Sequence, residues 1–392
     1  MNRGEKQTVE LETKNHMVMP PPYLPYELII EILLRLPVKS LIRFKCVSKY
    51  WFSLISDSHF ANSQFQLNAA THTHRALFIA SESPHETQSI DLEASLDDDS
   101  SIVSLNPNFI PSQPSSCIEI KASCRGFILL HFNSNIYLRD PLAEIYSTFY
   151  LWNPSTGLHR QIPLSPFSFI LDAEYFYGFG YDHSTDDYLI VSMSSGINSS
   201  YLEFFSLKDN MWKQIDEGTH IRYANAFNGS FFNGAIHWFA YSHELENNVI
   251  VAFDLMERKL FEMSLPDQFD LEIDYYSGLW VFKEYLSLWA MNCINDTVEI
   301  WVMKEYKVHS SWTKTHVLPT DGIPNNSFAP LCSTKSGDIV GIDDHARLVK
   351  YNDERQLLGH RSYCNNPDGF QMAVYTECLL SLPGDNVGDE MR

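Results

Sequence analysis

The 392-residue chain carries 28 Lys and Arg against 49 Asp and Glu, a formal net charge of −21 that sets it against phosphate backbones and anionic membranes as main partners. Apolar residues make up 44% and aromatics 14%, enough to build a core, so a wholly disordered chain is excluded. No apolar run of about 20 residues is present to span a bilayer, and the length suits a large repeat domain with a small module beside it.

Residues 1–19 are polar, lack the apolar stretch of a secretory signal and read as a disordered tail. The seven cysteines are odd in number and form no C-x-x-C pair, which fits a reduced compartment, cytoplasmic or nuclear.

The character changes at Pro20. Residues 24–57, LPYELIIEILLRLPVKSLIRFKCVSKYWFSLISD, predict three short helices. Pro25 suits a first helical turn, and Pro37 stops the first helix after Leu36. Glu27, Glu31 and Arg35 form one polar stripe at i, i+4 and i+8, with Glu31 placed to pair with Arg35. The remaining positions, Leu28, Ile29, Ile30, Ile32, Leu33, Leu34 and Leu36, are apolar on too many sides for one helix of a small domain. A second helix near Val38 to Val47 and a third around Tyr50 to Ser56 add too little core to absorb that surplus. The block is therefore either a helical lid on the large domain or a docking module for another protein.

The Leu24-Pro25 opening, the Leu36-Pro37-Val38 junction, the Phe44/Cys46-Val47-Ser48 run and Trp51 resemble the plant F-box over about 40 residues, here 20–62. That resemblance implies docking onto a Skp-type adaptor, which bridges to a cullin and its RING subunit. It casts Leu24, Pro25, Leu28, Ile32, Leu36, Val38 and Leu41 as adaptor-facing, with Phe44, Val47 and Trp51 open to an internal role.

From about residue 75 the pattern becomes short strands and turns. Five copies of a strand–turn–strand unit align on Trp152, Phe205, Phe253, Trp301 and Tyr351, spaced 53, 48, 48 and 50 residues apart. A second hairpin precedes each copy, with turns such as Asn233-Gly234 and Ser336-Gly337 that tolerate positive φ. Two hairpins per period near 50 make a four-stranded blade of a kelch-like β-propeller. A β-sandwich also has many short strands, but the regular period favours the propeller. Residues 75–105 and the final strand MAVYTECLLSL are expected to share a sixth blade and close the ring over 75–382, leaving 383–392 as a tail. The polar stretch 93–116 is expected to be mobile, as is 1–19.

The segments LWNPSTG, YGFGYD with STDDY, FFNGAIHW, AFDL, EIWVMKEY and PLCSTKSGDIV resemble the plant F-box-associated domain of S-locus and CPR-type F-box proteins. Cys124-Arg125-Gly126 departs from the Cys-Asn-Gly commoner in that family. With the F-box, the resemblance covers nearly the whole chain. It implies the substrate-recognition subunit of an SCF ubiquitin ligase, non-catalytic in itself. An adaptor-binding scaffold that recruits no cullin, and a propeller enzyme with a helical lid, remain as alternatives.

No cofactor, metal or nucleophile motif is read. The 15 histidines include no H-E-x-x-H, and Gly178-Phe179-Gly180 lacks a third glycine and a following helix. Asp343-Asp344-His345 falls in a connection and reads as structural. In a propeller the turns inside hairpins share one face, and the longer connections share the other. That second face is expected to hold the target protein, with Phe167, Tyr175, Tyr223, Tyr275 and Tyr276 as contacts.

Overall fold

Burial of period-two strands and of one short helical block accounts for the architecture in a computed structural model. The structure describes residues 24–70, 74–80, 86–111, 116–134, 147–167, 174–195, 200–215, 223–224, 229–269, 277–363 and 370–384. Four helices come first: Tyr26–Leu34 (α1), Val38–Phe44 (α2), Lys49–Ile55 (α3) and Ser58–Ala70 (α4). Pro25 and Pro37 sit at the N-caps of α1 and α2. Ser48 caps α3 through its hydroxyl, which accepts from the Trp51 amide. The fourth helix is an addition to the three expected from sequence.

Six antiparallel sheets follow. Blade 1 joins His74–Ala80 (β1), Thr87–Asp91 (β2) and Ile102–Leu105 (β3) to Phe370–Thr376 (β25) from the far end of the chain. Blade 2 is Ser116–Cys124 (β4), Phe127–Ser134 (β5), Ser147–Trp152 (β6) and His159–Ile162 (β7). Blade 3 is Glu174–Asp182 (β8), Asp187–Ser195 (β9), Ser200–Ser206 (β10) and Met211–Gln214 (β11). Blade 4 holds Tyr223–Ala224 (β12), Ser230–Phe232 (β13), Ala235–Ser242 (β14), Asn247–Asp254 (β15) and Lys259–Met263 (β16). Blade 5 is Ser277–Phe282 (β17), Tyr285–Asn292 (β18), Thr297–Met303 (β19) and Trp312–Pro319 (β20). Blade 6 is Ala329–Ser333 (β21), Ile339–Ile342 (β22), Leu348–Tyr351 (β23) and Leu357–Arg361 (β24).

The ring closes as expected, by pairing the first and last strands of the propeller: Leu77 lies opposite Ala373 and Phe78 opposite Met372. The repeat residues Trp152, Phe205, Phe253, Trp301 and Tyr351 all fall in the third strand of their blades. Each packs into a seam between neighbouring blades. A sixth seam, with Phe78 and Ile90 against Val340 and Leu348, completes the circle. One expectation is corrected here. Residues 93–111 are ordered, with a 3-10 turn at Asp99–Ser101 capped by Asp98 and the outer strand β3 paired to β2. Beside the ladder bonds of β3, the scattered apolar residues of that stretch hold it: Leu96 and Ile102 pack against one blade seam, and Leu105, Phe109 and the buried Ile110 against the next. Residues 1–19 lie outside the described residues.

Strand alternation gives the ring two faces. The near face carries the turns that link first to second and third to fourth strands. Helix α4 runs into β1, a second strand, and β25, a first strand, ends on the same side. The helices and the last described residues, 377–384, therefore lie on the near face.

Candidate adaptor-docking and target-facing surfaces

The helices sit over the seam between blades 2 and 3. Leu33, Val38, Leu41, Ile55, Phe60 and Ala61 join one core with Phe127, Leu151, Phe179, Phe205 and the segment Cys378–Leu382. This covers one side of α1, where Ile29, Ile30 and Leu34 also pack. The other side is bare. Leu24, Leu28 and Ile32, spaced i, i+4 and i+8, remain 48%, 49% and 50% exposed, and Pro25 is exposed beside them. Tyr26, Val47 and Tyr50 of the helical module are exposed as well, with the two tyrosine rings 5.7 Å apart. The two tyrosines, but none of the three ridge residues, line a groove of about 570 Å³ together with Ile30, Leu34, Leu54 and Phe60. A row of exposed aliphatic side chains along one helix is the kind of surface that marks a protein-binding site. Glu31 and Arg35 pair along the polar stripe as expected.

The structure splits the seven residues assigned to the adaptor. Leu24, Pro25, Leu28 and Ile32 are outward, and Leu36 is half-buried. Val38 and Leu41 are 1% and 0% exposed, so they cannot touch a partner in this arrangement and are core residues instead. Phe44 and Trp51 stack edge-to-face at 5.3 Å beneath the surface, whereas Val47 is exposed. The sequence pattern showed which residues are apolar but not which of them the propeller would cover. Tyr26 and Tyr50 were missed; their place on the outer flank of α1 and at the start of α3 was the available signal.

Opposite the helices, the far face presents the second-to-third-strand turns 243–246, 293–296 and 343–347. In the first two, the Ser242 hydroxyl and the Asn292 carbonyl accept from turn amides, and Glu246 and Asp296 take positive φ. These braced turns hold Leu245 and Ile294 at 58% and 72% exposure beside exposed Glu244, Glu246 and Asp296. Sequence reasoning noticed the loops but not these two side chains, although an aliphatic residue inside an otherwise polar turn was the visible signal. Among the expected contacts, Phe167 is 39% exposed, with its amide held by Ser165. Tyr175 belongs to β8 and stacks on Tyr177, so it is half-buried in a blade and not on a loop. Tyr223 lies in β12 opposite Ser242, and its side chain is outside the described residues, as are Tyr275 and Tyr276 altogether.

Chemistry is scarce. Among the described residues no His, Cys, Asp and Glu group could hold a metal ion. Asp343 is buried, pairs with Arg347 and accepts from the amides of His345 and Arg347, which is turn architecture. A Ser147–His131–Glu119 chain in blade 2 invites comparison with a hydrolytic triad. His131 Nε2 is 2.8 Å from Ser147 Oγ, but Nδ1 is 3.9 Å from Glu119 and 3.3 Å from the Asn133 amide nitrogen. At that distance Glu119 does not orient the ring as a triad carboxylate does, and Asn133 shares the same nitrogen. The nearby His131 and Lys121 hold the Glu119 carboxyl at about 2, and burial pushes His131 itself down. The group is a buried polar link stacked on Phe149.

A propeller whose near face carries a small helical module with an exposed apolar ridge defines a modular interaction protein. Residues 22–62 match the F-box domain and residues 78–359 match the F-box associated beta propeller domain, so the chain belongs to the F-box proteins with an associated propeller. It is similar to the F-box/kelch-repeat protein At3g23880 of Arabidopsis thaliana, 27% identical over 95% of this chain and 99% of that protein. It is also similar to the F-box protein CPR1 of the same plant, 28% identical over 92% of this chain and 90% of that one.

Proposed function

We propose that the chain is the substrate-receiving subunit of an SCF-type ubiquitin ligase. The Skp-type adaptor covers the Leu24–Leu28–Ile32 ridge, and the far face of the propeller holds a target protein. The observation that carries this reading is the ridge itself. It stays half exposed while Ile29, Ile30, Leu33 and Leu34 of the same helix are packed, on a domain matched as an F-box. The chain supplies no thioester and no cofactor to the transfer. It contributes proximity, holding a target lysine near a charged conjugating enzyme at high effective concentration. Within this reading Phe167, Leu245 and Ile294 are the described far-face contacts, and the connections bearing Tyr223, Tyr275 and Tyr276 are the sequence-derived ones.

The test is binding of purified Skp-type adaptor to the full chain, followed by capture of the cullin on the pair. Wild type binds both. Ile32→Asp, which puts a carboxylate in the interface, loses the adaptor while its melting temperature is unchanged. Adaptor binding by Ile32→Asp at wild-type strength would overturn the assignment of the ridge, and adaptor binding without cullin would make the chain a scaffold.

A further inference from the structure

The junction between helices and propeller is organised around one side chain. Arg125 forms the near-face turn of blade 2 with Gly126, at φ 49° and 82°. Its guanidinium donates from Nη2 to Asn62 Oδ1 on α4 at 2.6 Å and from Nε to the Tyr188 hydroxyl of blade 3 at 3.3 Å. The same group lies 4.0 Å from the ring centre of Tyr181 in blade 3 and 4.9 Å from that of Phe65 on α4. One planar cation thus touches a helix of the F-box module and two strands of the neighbouring blade while its own backbone belongs to blade 2. Stacking and forked donation together require Arg; Lys offers a point charge without the plane.

The turn is also locked from the other side by the end of the chain. Cys378 Sγ donates to the Arg125 carbonyl at 3.4 Å. A Cβ added at Gly126 would lie 2.4 Å from that sulfur and 2.6 Å from the Thr376 carbonyl oxygen, so the strap passes directly over the turn. Asn153 donates to the carbonyls of Cys378 and Leu380 at 3.3 and 3.2 Å, Arg160 to that of Pro383 at 2.6 Å, and Asn68 of α4 to that of Glu377 at 3.5 Å. The strap therefore ties the closing strand β25 to both blade 2 and α4.

We propose that Arg125 is a positioning residue: it fixes the angle between the adaptor-docking ridge and the propeller, and so determines which lysines lie within reach of ubiquitin transfer. The inference rests on the receptor reading for its consequence, but its structural half, a clamped junction, stands without it. Reach is a geometric quantity, because a rigid connection confines a bound lysine to a small volume and a hinged one spreads it.

Arg125→Asn is the variant to make. Asn accepts positive φ at least as well as Arg, so the turn survives and only the reach of the side chain is removed. Hydrogen exchange on the full chain is the first readout. Amides of Ser58–Ala70 and of 377–384 exchange at least about tenfold faster in Arg125→Asn, those of the blade strands are unchanged, and Arg125→Lys restores only part of the protection. The second readout is self-ubiquitination of the chain assembled with adaptor, cullin, RING subunit and conjugating enzyme. Adaptor affinity stays within about twofold of wild type, while the set of modified propeller lysines broadens. Unchanged exchange of α4 would sink the clamp. Faster exchange with an identical lysine pattern would sink the positioning role. If wild type fails to bind the adaptor, the receptor reading fails, and the exchange measurement still decides whether Arg125 holds the junction.

Discussion

The two faces of the ring are built from the same blades, yet among the described residues one carries the helices and the C-terminal strap and the other carries turns and connections. On the near face, short turns such as Arg125-Gly126 and Asn233-Gly234 leave room for α4 and the C-terminal strap, and the seam of blades 2 and 3 gains a second layer of apolar cover. On the far face, turns of similar local geometry carry Leu245 and Ile294 into solvent among carboxylates. The described far-face turns of blades 4 and 5 expose Glu244, Glu246 and Asp296. The difference teaches that a propeller assigns roles by chain connectivity. The face where the chain enters and closes carries the helical module over the seam of blades 2 and 3, and the opposite face is the one proposed for a target.

The sharpest way to break the comparison is to change adjacent residues that the packing places on opposite sides of the F-box module. Ile32→Asp is expected to reduce adaptor affinity by more than about 100-fold at unchanged stability, since a desolvated, unpaired carboxylate costs several kcal/mol. Leu41→Ala should act in reverse. It deletes a fully buried side chain at the junction, costs about 2–5 kcal/mol of stability, and weakens adaptor binding only as far as the module loosens. Calorimetric titration beside thermal melting separates the two. A Leu41→Ala protein of wild-type stability with lost adaptor binding would return Leu41 to the docking surface.

How far this division is legible in the sequence differs by element. The period of about 50 is readable because Trp152, Phe205, Phe253, Trp301 and Tyr351 occupy one structural position, the third strand, where each must fill a seam. Helix α4 was not readable. In SHFANSQFQLNAA the buried Phe60 and Ala61 and the half-buried Phe65 alternate with polar residues, among them Asn62, which Arg125 holds, and a fully buried Gln64, and no strong apolar stripe results. Strand β3 was hidden for a related reason, since Ile102, Val103 and Leu105 stand among Ser, Asn and Pro and are only partly buried. The assignment of Val38 and Leu41 went astray because a helix that is apolar all round does not declare which of its sides belongs to its own chain. Connectivity, by contrast, follows from strand order alone, so the far face could be anticipated while its exposed residues could not.

A smaller effect should arise inside the ring. His237 of β14 is buried at the seam of blades 4 and 5; Nδ1 lies 3.2 Å from the Ser230 carbonyl and Nε2 2.8 Å from the Tyr306 hydroxyl. Burial pushes its pKa down to about 4, so the folded protein keeps the imidazole neutral where an unfolded chain would protonate it. The unfolded state binds the extra proton between about pH 6.5 and 4. Its contribution is therefore complete above about pH 6.5 and is lost as pH falls toward 4, a difference of about 2 kcal/mol between pH 7 and pH 5. Denaturant melts across that window should show the slope in wild type and a shallower one in His237→Gln. Equal slopes would mean that other groups carry it.

The smallest expected effects sharpen the far face itself. Leu245 and Ile294 sit on turns fixed by Ser242 and Asn292, so replacing them with Ser alters only what projects into solvent. The turn of blade 3 at 183–186 has a similar build, with Ser184 and Thr185 at its tip and Asp186 at positive φ, which shows that the geometry does not call for an aliphatic residue. Met256, 66% exposed on the near face of blade 4, provides the matched control. Ile294→Ser and Leu245→Ser are each expected to weaken capture of a target by up to about tenfold, near the level at which a peripheral hot spot registers. Both should leave adaptor affinity untouched, and Met256→Ser should change neither. Adding salt should weaken the remaining capture further, because Glu244, Glu246 and Asp296 give this surface a negative field that favours a basic partner. Equal losses from Met256→Ser and Ile294→Ser would show that the two faces are not functionally distinct, and the division by connectivity would then describe the fold but not its use.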